Sequence, residues 1–256
     1  MNHQIIYEFP LNERMRLFIR LEHLFQQFDH FMAGRSVWDA RVVVDSLVDI
    51  VGVFARNDIK AETLLEIERQ LAALNRVLPL AGGVDTDKLR DIMERLDQLG
   101  KRLYSKSGKV GLMLMDDDLF KSISQRSSIP GGTCSFDSPA YHYWLHRSEH
   151  ERMGDIQRWM QPFMEIRSAI SILLELIRTS AMPHQELAQL GFYQKTLERG
   201  LAFQLLRVGI DSSEPFYAEI SGGKHRFSIR FMSRGLSGRS SQLTEDVRFQ
   251  LTCCLF

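Results

Sequence analysis

Between residues 221 and 244 the chain carries five basic residues, Lys224, Arg226, Arg230, Arg234 and Arg239, and no acidic one. Alternation over residues 225–232 puts His225, Phe227, Ile229 and Phe231 on one face of a strand and Arg226, Ser228, Arg230 and Met232 on the other. The phenylalanine face belongs in a core, so the arginine face looks outward. A planar guanidinium can hold a carboxylate through two parallel hydrogen bonds while its aliphatic stem covers apolar surface, which suits an acidic or carboxylate-bearing peptide. Two other readings of this face stand beside it. Outward arginines protect sheets from aggregation, and interleaved Arg and Phe over 224–234 resemble a platform for single-stranded nucleic acid. The last reading is the weaker, because Phe227 and Phe231 cannot stack bases without leaving the core.

The other chemistry-bearing residues lack a complete context. His142, His146 and His150 are four apart, but a capping signal at Ser148 breaks the helix before His150, and no carboxylate or cysteine at ligand spacing completes a tetrahedral metal set. Cys134 with His142 offers a nucleophile and a base without an orienting third residue. The glycines of Ser221, Gly222, Gly223, Lys224 lead into a strand instead of the helix N-terminus a phosphate loop needs. Consecutive Asp116, Asp117 and Asp118 cannot all face one cation and read as a helix start. No catalytic residue, metal or cofactor is expected.

Helices must position most of this chemistry. Pro10 introduces a helix over 11–32, whose apolar residues Leu11, Met15, Phe18, Leu21, Phe25, Phe28 and Met32 fall at three-four spacing, with Arg16 and Arg20 one turn apart on the polar side. Ser36 with Asp39 caps a helix to about Phe54, and a further helix covers 60–78, closed by Gly82 and Gly83. Asp85 and Thr86 start the next, with Gly100 as its end or weak point. The Pro130, Gly131, Gly132 segment reverses the backbone. Ser138 and Pro139 open a short helix, and Ser148 with Glu151 forms another capping box. Ile156, Trp159, Phe163, Ile166, Ile170, Leu173 and Ile177 then make a stripe for a central or dimer-forming helix that Pro162 kinks or divides. Beyond Pro183 the period changes to two, predicting strands at 202–210, 216–220, 225–232 and 247–254 in an antiparallel sheet, with a flexible polar loop at 233–241. Of the adjacent Cys253 and Cys254, one is expected buried and one exposed. The fold class is α+β: a mainly helical domain at 1–182, a smaller antiparallel β domain at 183–256, and residues 4–9 as a strand able to join the sheet.

Composition limits the possibilities. The 256 residues hold 32 Lys+Arg against 32 Asp+Glu and include seven Pro, giving a chain that can bury one or two ordinary cores. Zero formal charge removes the global positive field of duplex-coating proteins while leaving local basic patches possible. Three cysteines cannot form a disulfide framework, the first ten residues lack a secretory layout, and charges break every long apolar run, so a soluble cytoplasmic protein is expected.

Several segments together resemble the ZapD cell-division family: YEFPLNERMR at 7–16, SIPGGTCSFDSP at 128–139, WLH at 144–146, LIRTSA at 176–181, GFYQ at 191–194 and ISGGKHRFSIRFM at 220–232. The match is collinear over almost the whole chain. The resemblance implies a cytoplasmic homodimer, placed at the mid-cell division ring, that binds the C-terminal tail of the tubulin-like protein FtsZ and cross-links its filaments. It implies a basic tail-binding surface made of Arg20, Arg56, His142, Lys224, Arg226 and Arg230, and neither membrane nor nucleic acid as a partner. The acidic run 116–118 stands where a further basic contributor would be sought in relatives.

Overall fold

The structure is a computed structural model and describes residues 4–78, 86–223, 225–235 and 238–255. It is α+β and separates into two compact units. One comprises the described residues of Met1–Arg16 and Leu174–Phe256; the other is Leu17–Leu173.

The helical elements start where the sequence supplies caps. Helix α1 (Glu13–Met32) begins after Asn12, whose Oδ1 accepts the Met15 N–H at 2.9 Å. Its stripe of Met15, Phe18, Leu21, Phe25 and Phe28 is at most 4% exposed. Helix α2 (Val37–Arg56) carries the full Ser36/Asp39 capping box, and α3 (Ile59–Val77) starts at Asp58, which accepts from the Ala61 N–H. Helix α4 (Thr86–Ser105) does not stop at Gly100; it continues one more turn because Leu99 and Leu103 are both buried and outweigh one unfavourable residue. The expected Gly82–Gly83 stop and Asp85 lie outside the described residues.

A short 3₁₀ turn, Leu112–Asp116, leads into α5 (Asp118–Arg126), capped by Asp117. Helices α6 (Pro139–Leu145) and α7 (Glu149–Met160) are separated by the Ser148/Glu151 box. At Pro162 the long stripe divides: a 3₁₀ turn, Gln161–Phe163, separates α7 from α8 (Met164–Thr179). Every apolar residue of that stripe is at most 3% exposed within the single chain. The stripe is core, and it offers no apolar seam to a second copy.

The β unit holds two four-stranded antiparallel sheets instead of the single sheet expected. The first has the order β1-β4-β8-β2, from β1 (Gln4–Pro10), β4 (Leu205–Asp211), β8 (Val247–Cys254) and β2 (His184–Ala188). Residues 4–10 thus pair with β4 in full register, from Gln4 against Asp211 to Pro10 against Leu205. The second has the order β3-β6-β5, from β3 (Phe192–Thr196), β6 (Arg226–Arg234) and β5 (Phe216–Gly222), with β7 (Ser240–Gln242) on the far half of β6. Residues 233–241 are therefore not simply a loop, since Arg234 and Ser233 pair with Ser240 and Ser241.

The polar strands β2 and β3 carry no clear alternation and escape sequence reading. Between them Leu190 and Gly191 have φ of 49° and 69°. Leu190 is held there by donating to Asp246 and accepting from Gln242, and a Cβ at Gly191 would lie 2.5 Å from the Leu243 carbonyl oxygen.

Side chains from both sheets share one core, including Val208, Phe249 and Leu251 from the first and Phe227, Ile229 and Phe231 from the second. The first sheet's other face is covered where Leu205, Thr252 and Cys254 are buried, while Cys253 is half-buried against the shared core, so the pair is not one buried and one exposed. On that other face Glu8 takes two hydrogen bonds from Arg178, at 2.8 and 2.7 Å, and one from Arg207 at 3.0 Å. The three side chains are between 17% and 30% exposed, and the Ser180 hydroxyl accepts from the Leu255 N–H. These bonds tie the end of α8 to strands β1, β4 and the chain beyond β8.

Two outcomes follow from this packing. Glu8→Ala leaves Arg178 and Arg207 facing each other without their shared carboxylate and is expected to lower stability by about 2–3 kcal/mol in urea unfolding; a change below ~0.5 kcal/mol would show that solvent replaces the carboxylate. Glu151 is held below its ordinary value of 4.5 by the Ser148 hydroxyl first and by Arg147. Its contribution is therefore present above pH 4.5 and is lost as pH falls through the lowered folded value. Unfolding curves of Glu151→Gln should accordingly show a shallower loss of stability with acid than those of the unmodified chain.

Candidate functional site

Strand β6 is the centre of the β unit's exposed basic face. Phe227, Ile229 and Phe231 are at most 1% exposed, and Phe231 packs edge-on against Phe216 and tilted against Phe249, with ring centroids 5.8 and 5.0 Å away. With those positions fixed inward, the pleat sends Arg226, Ser228, Arg230, Met232 and Arg234 to the other side, where all three arginines are exposed. Successive arginines are four residues apart, roughly 13 Å along the strand at ~3.3 Å per residue.

The neighbouring strands complete this face. Register places Thr196 beside Arg226, and Phe192 and Glu219 on either side of Arg230. Tyr217 stands beside Met232 and donates to the Ser240 hydroxyl at 2.8 Å. Glu219, the acidic residue in register with Arg230, has its carboxylate 3.5 Å from the Tyr217 hydroxyl, whose single proton goes to Ser240. Neither Arg226 nor Arg230 forms an ion pair within 4 Å among the described residues, so both guanidinium forks remain open to a carboxylate. Phe227 and Phe231, on which the reading of a base-stacking platform rests, are in the core.

The remaining candidates divide between the units. Lys224 lies outside the described residues. In the helical unit Arg20 is exposed on α1. Arg56, exposed in the last turn of α2, donates from Nε to the Gly52 carbonyl at 3.0 Å, the behaviour of a cation closing a helix C-terminus. His142 is exposed on α6, with its ring centroid 4.4 Å from that of His146, whose Nδ1 is 2.8 Å from the His142 carbonyl oxygen. His150 falls in the next helix, α7, and among the described residues no group of three His, Cys, Asp or Glu could hold a metal ion. Asp117 of the acidic run is engaged as a cap, accepting from the Phe120 N–H and from Trp159 Nε1, both at 2.9 Å.

The family model described as "ZapD: Cell division protein" matches residues 19–230. The chain belongs to the ZapD cell-division family. It is 47% identical over 257 residues to the cell division protein ZapD of Methylococcus capsulatus, covering all of both chains. It is also 36% identical to the ZapD proteins of Aromatoleum aromaticum and Azoarcus sp., covering 98% of this chain and 97% and 99% of theirs. A cell-division role follows from this membership, and no described helix is long and apolar enough to cross a membrane.

Sequence reading did not include Arg234, Tyr217 or Phe192 in the site. Arg234 carried a signal, four residues after Arg230 in the same alternation, that was masked by expecting the strand to end at Met232. Tyr217 and Phe192 had none, because only strand register puts them there. Since the Arg226 and Arg230 side chains are exposed and make no hydrogen bond or ion pair among the described residues, reversing both to Glu is expected to leave the urea midpoint within the equivalent of ~0.5 kcal/mol. Phe231→Ala on the opposite face is expected to cost about 3–5 kcal/mol.

Proposed function

We propose that this protein binds the C-terminal tail of FtsZ through its basic surface and, as a homodimer in the cytoplasm at the mid-cell ring, cross-links FtsZ filaments and stabilises the ring. The observation that supports this most is the β6 face, where Arg226 and Arg230 are held outward by a locked register and are free of ion pairs among the described residues. Arg20, Arg56 and His142 from the helical unit, and Lys224 from the β unit, are the further basic contacts in this reading.

Cross-linking needs two tail sites on one particle, which a two-fold dimer supplies. Each contact is modest and screened by salt, and affinity rises when a polymer presents many tails at once. A single-stranded nucleic-acid role finds less support, since Phe227 and Phe231, on which that reading rests, are in the core and the arginine face has only Phe192 and Tyr217 from neighbouring strands for stacking.

The direct test sediments FtsZ polymers with the full-length protein. Arg226→Glu with Arg230→Glu is expected to abolish the bundled fraction, and full retention of bundling would remove these residues from the site. FtsZ lacking its C-terminal tail is expected to polymerise but not to bundle; bundling of that truncated polymer would overturn the tail-binding account.

A further inference from the structure

The helical unit contains two neighbouring hollows, of about 950 and 530 Å³, that share Gly108, Lys109 and Val110 on the segment joining α4 to the 3₁₀ turn. Each is of the size that takes a small ligand or a few side chains. The segment between them is fixed in place. Gly111, at φ 79°, passes so close to Phe163 that a Cβ there would lie 2.6 Å from its ring, and Lys60 donates to the Lys106 carbonyl.

The larger hollow is lined by Trp159, Leu114, Pro162 and Met113. Trp159 and Leu114 are nearly buried, whereas Met113 is 77% exposed at its edge. Tyr104, 82% exposed, lines the smaller one. Two large apolar side chains are thus exposed beside two hollows, a concentration of apolar surface that marks an interaction site.

Charge narrows what that partner is. Lys109 lines both hollows, is exposed, and has no ion pair among the described residues. Arg56 and Lys60 line the smaller, and Arg158, paired with Asp155, and Lys106, paired with Glu165, line the larger. The acids present are already occupied: Asp58 caps α3, and Asp117 caps α5 while accepting from Trp159. The rim is therefore net basic around an apolar floor. A segment combining carboxylates with aliphatic or aromatic side chains complements both features, whereas a purely acidic chain would leave the floor wet.

We infer that these paired hollows receive apolar side chains of the acidic peptide segment that the protein binds, with Lys109 fixing a neighbouring carboxylate. This rests on the tail-binding reading above and adds an apolar anchor to it. Buried anchors in pockets carry most of the energy in peptide recognition, while rim charges set orientation and on-rate. Met113 suits the role because its unbranched thioether adapts to the shape it meets.

The test is fluorescence anisotropy of a labelled FtsZ C-terminal tail peptide titrated with the full-length protein. Tyr104→Ser combined with Met113→Ser is expected to weaken binding at least five-fold, as is Lys109→Glu, with urea midpoints unchanged because all three positions are exposed. A peptide whose aliphatic and aromatic residues are replaced by serine should bind more weakly and should no longer distinguish the Tyr104/Met113 variant from the unmodified protein. Wild-type affinity in these variants, with loss in Arg226→Glu/Arg230→Glu, overturns the groove and leaves the tail reading standing. An equal loss with the serine peptide overturns the apolar anchor. No binding of the peptide to the unmodified protein overturns the tail reading and the groove together.

Discussion

The burial of Phe227, Ile229 and Phe231 against the opposing sheet is the constraint on which the candidate surface depends. Each of these side chains contributes about 1.5–3 kcal/mol by leaving water. Because strand side chains alternate, a slip of one residue would expose all three and push Arg226 and Arg230 into the core. Nothing on the outward face could compensate for that. The arginines are therefore presented by the core beneath them and not by contacts of their own, which leaves their hydrogen-bonding capacity for a partner.

The same separation of duties holds elsewhere. Charged groups that serve the fold are committed to it: Glu8 to Arg178 and Arg207, Glu151 to Ser148 and Arg147, Asp117 to a helix start and an indole. The cations left unpaired among the described residues include Arg226 and Arg230 on a strand and Lys109 beside an apolar hollow. A zero formal charge conceals this, because it sums paired and unpaired groups alike. Charge on such a local surface is screened by salt and, at zero formal charge, is not part of a global positive field.

The helical stripes show where periodicity reads well and where it stops. Three-four spacing placed the buried side chains of the 156–177 stripe and five of the seven in the first helix, where Leu11 precedes the helix and Met32 is only half-buried, and the Ser36 and Ser148 boxes marked two helix starts, because all of these depend on residues three or four apart. Whether an apolar stripe faces its own chain or a second copy depends on what else the chain brings to it, and spacing cannot say. Gly100 misled in the same way: intrinsic helix propensity is worth about 1 kcal/mol, less than the burial of Leu99 and Leu103.

The sequence alone determined the α+β class, the capping boxes at Ser36 and Ser148 and the two faces of β6, each carried by side-chain identity at short spacing, and the family, carried by collinear segments along the chain; the N-cap expected at Ser138 makes no side-chain capping bond. Only the tertiary structure decided that the strands divide into two sheets, that β1 pairs with β4 some 200 residues away, that β2, β3 and β7 exist, and that Glu8 meets Arg178 and Arg207. The physical reason is that sheet ladders are made of backbone N–H and C=O groups, which every non-proline residue shares. Such bonds can join any two extended segments, so the choice among them is made by the core that the assembled sheets enclose.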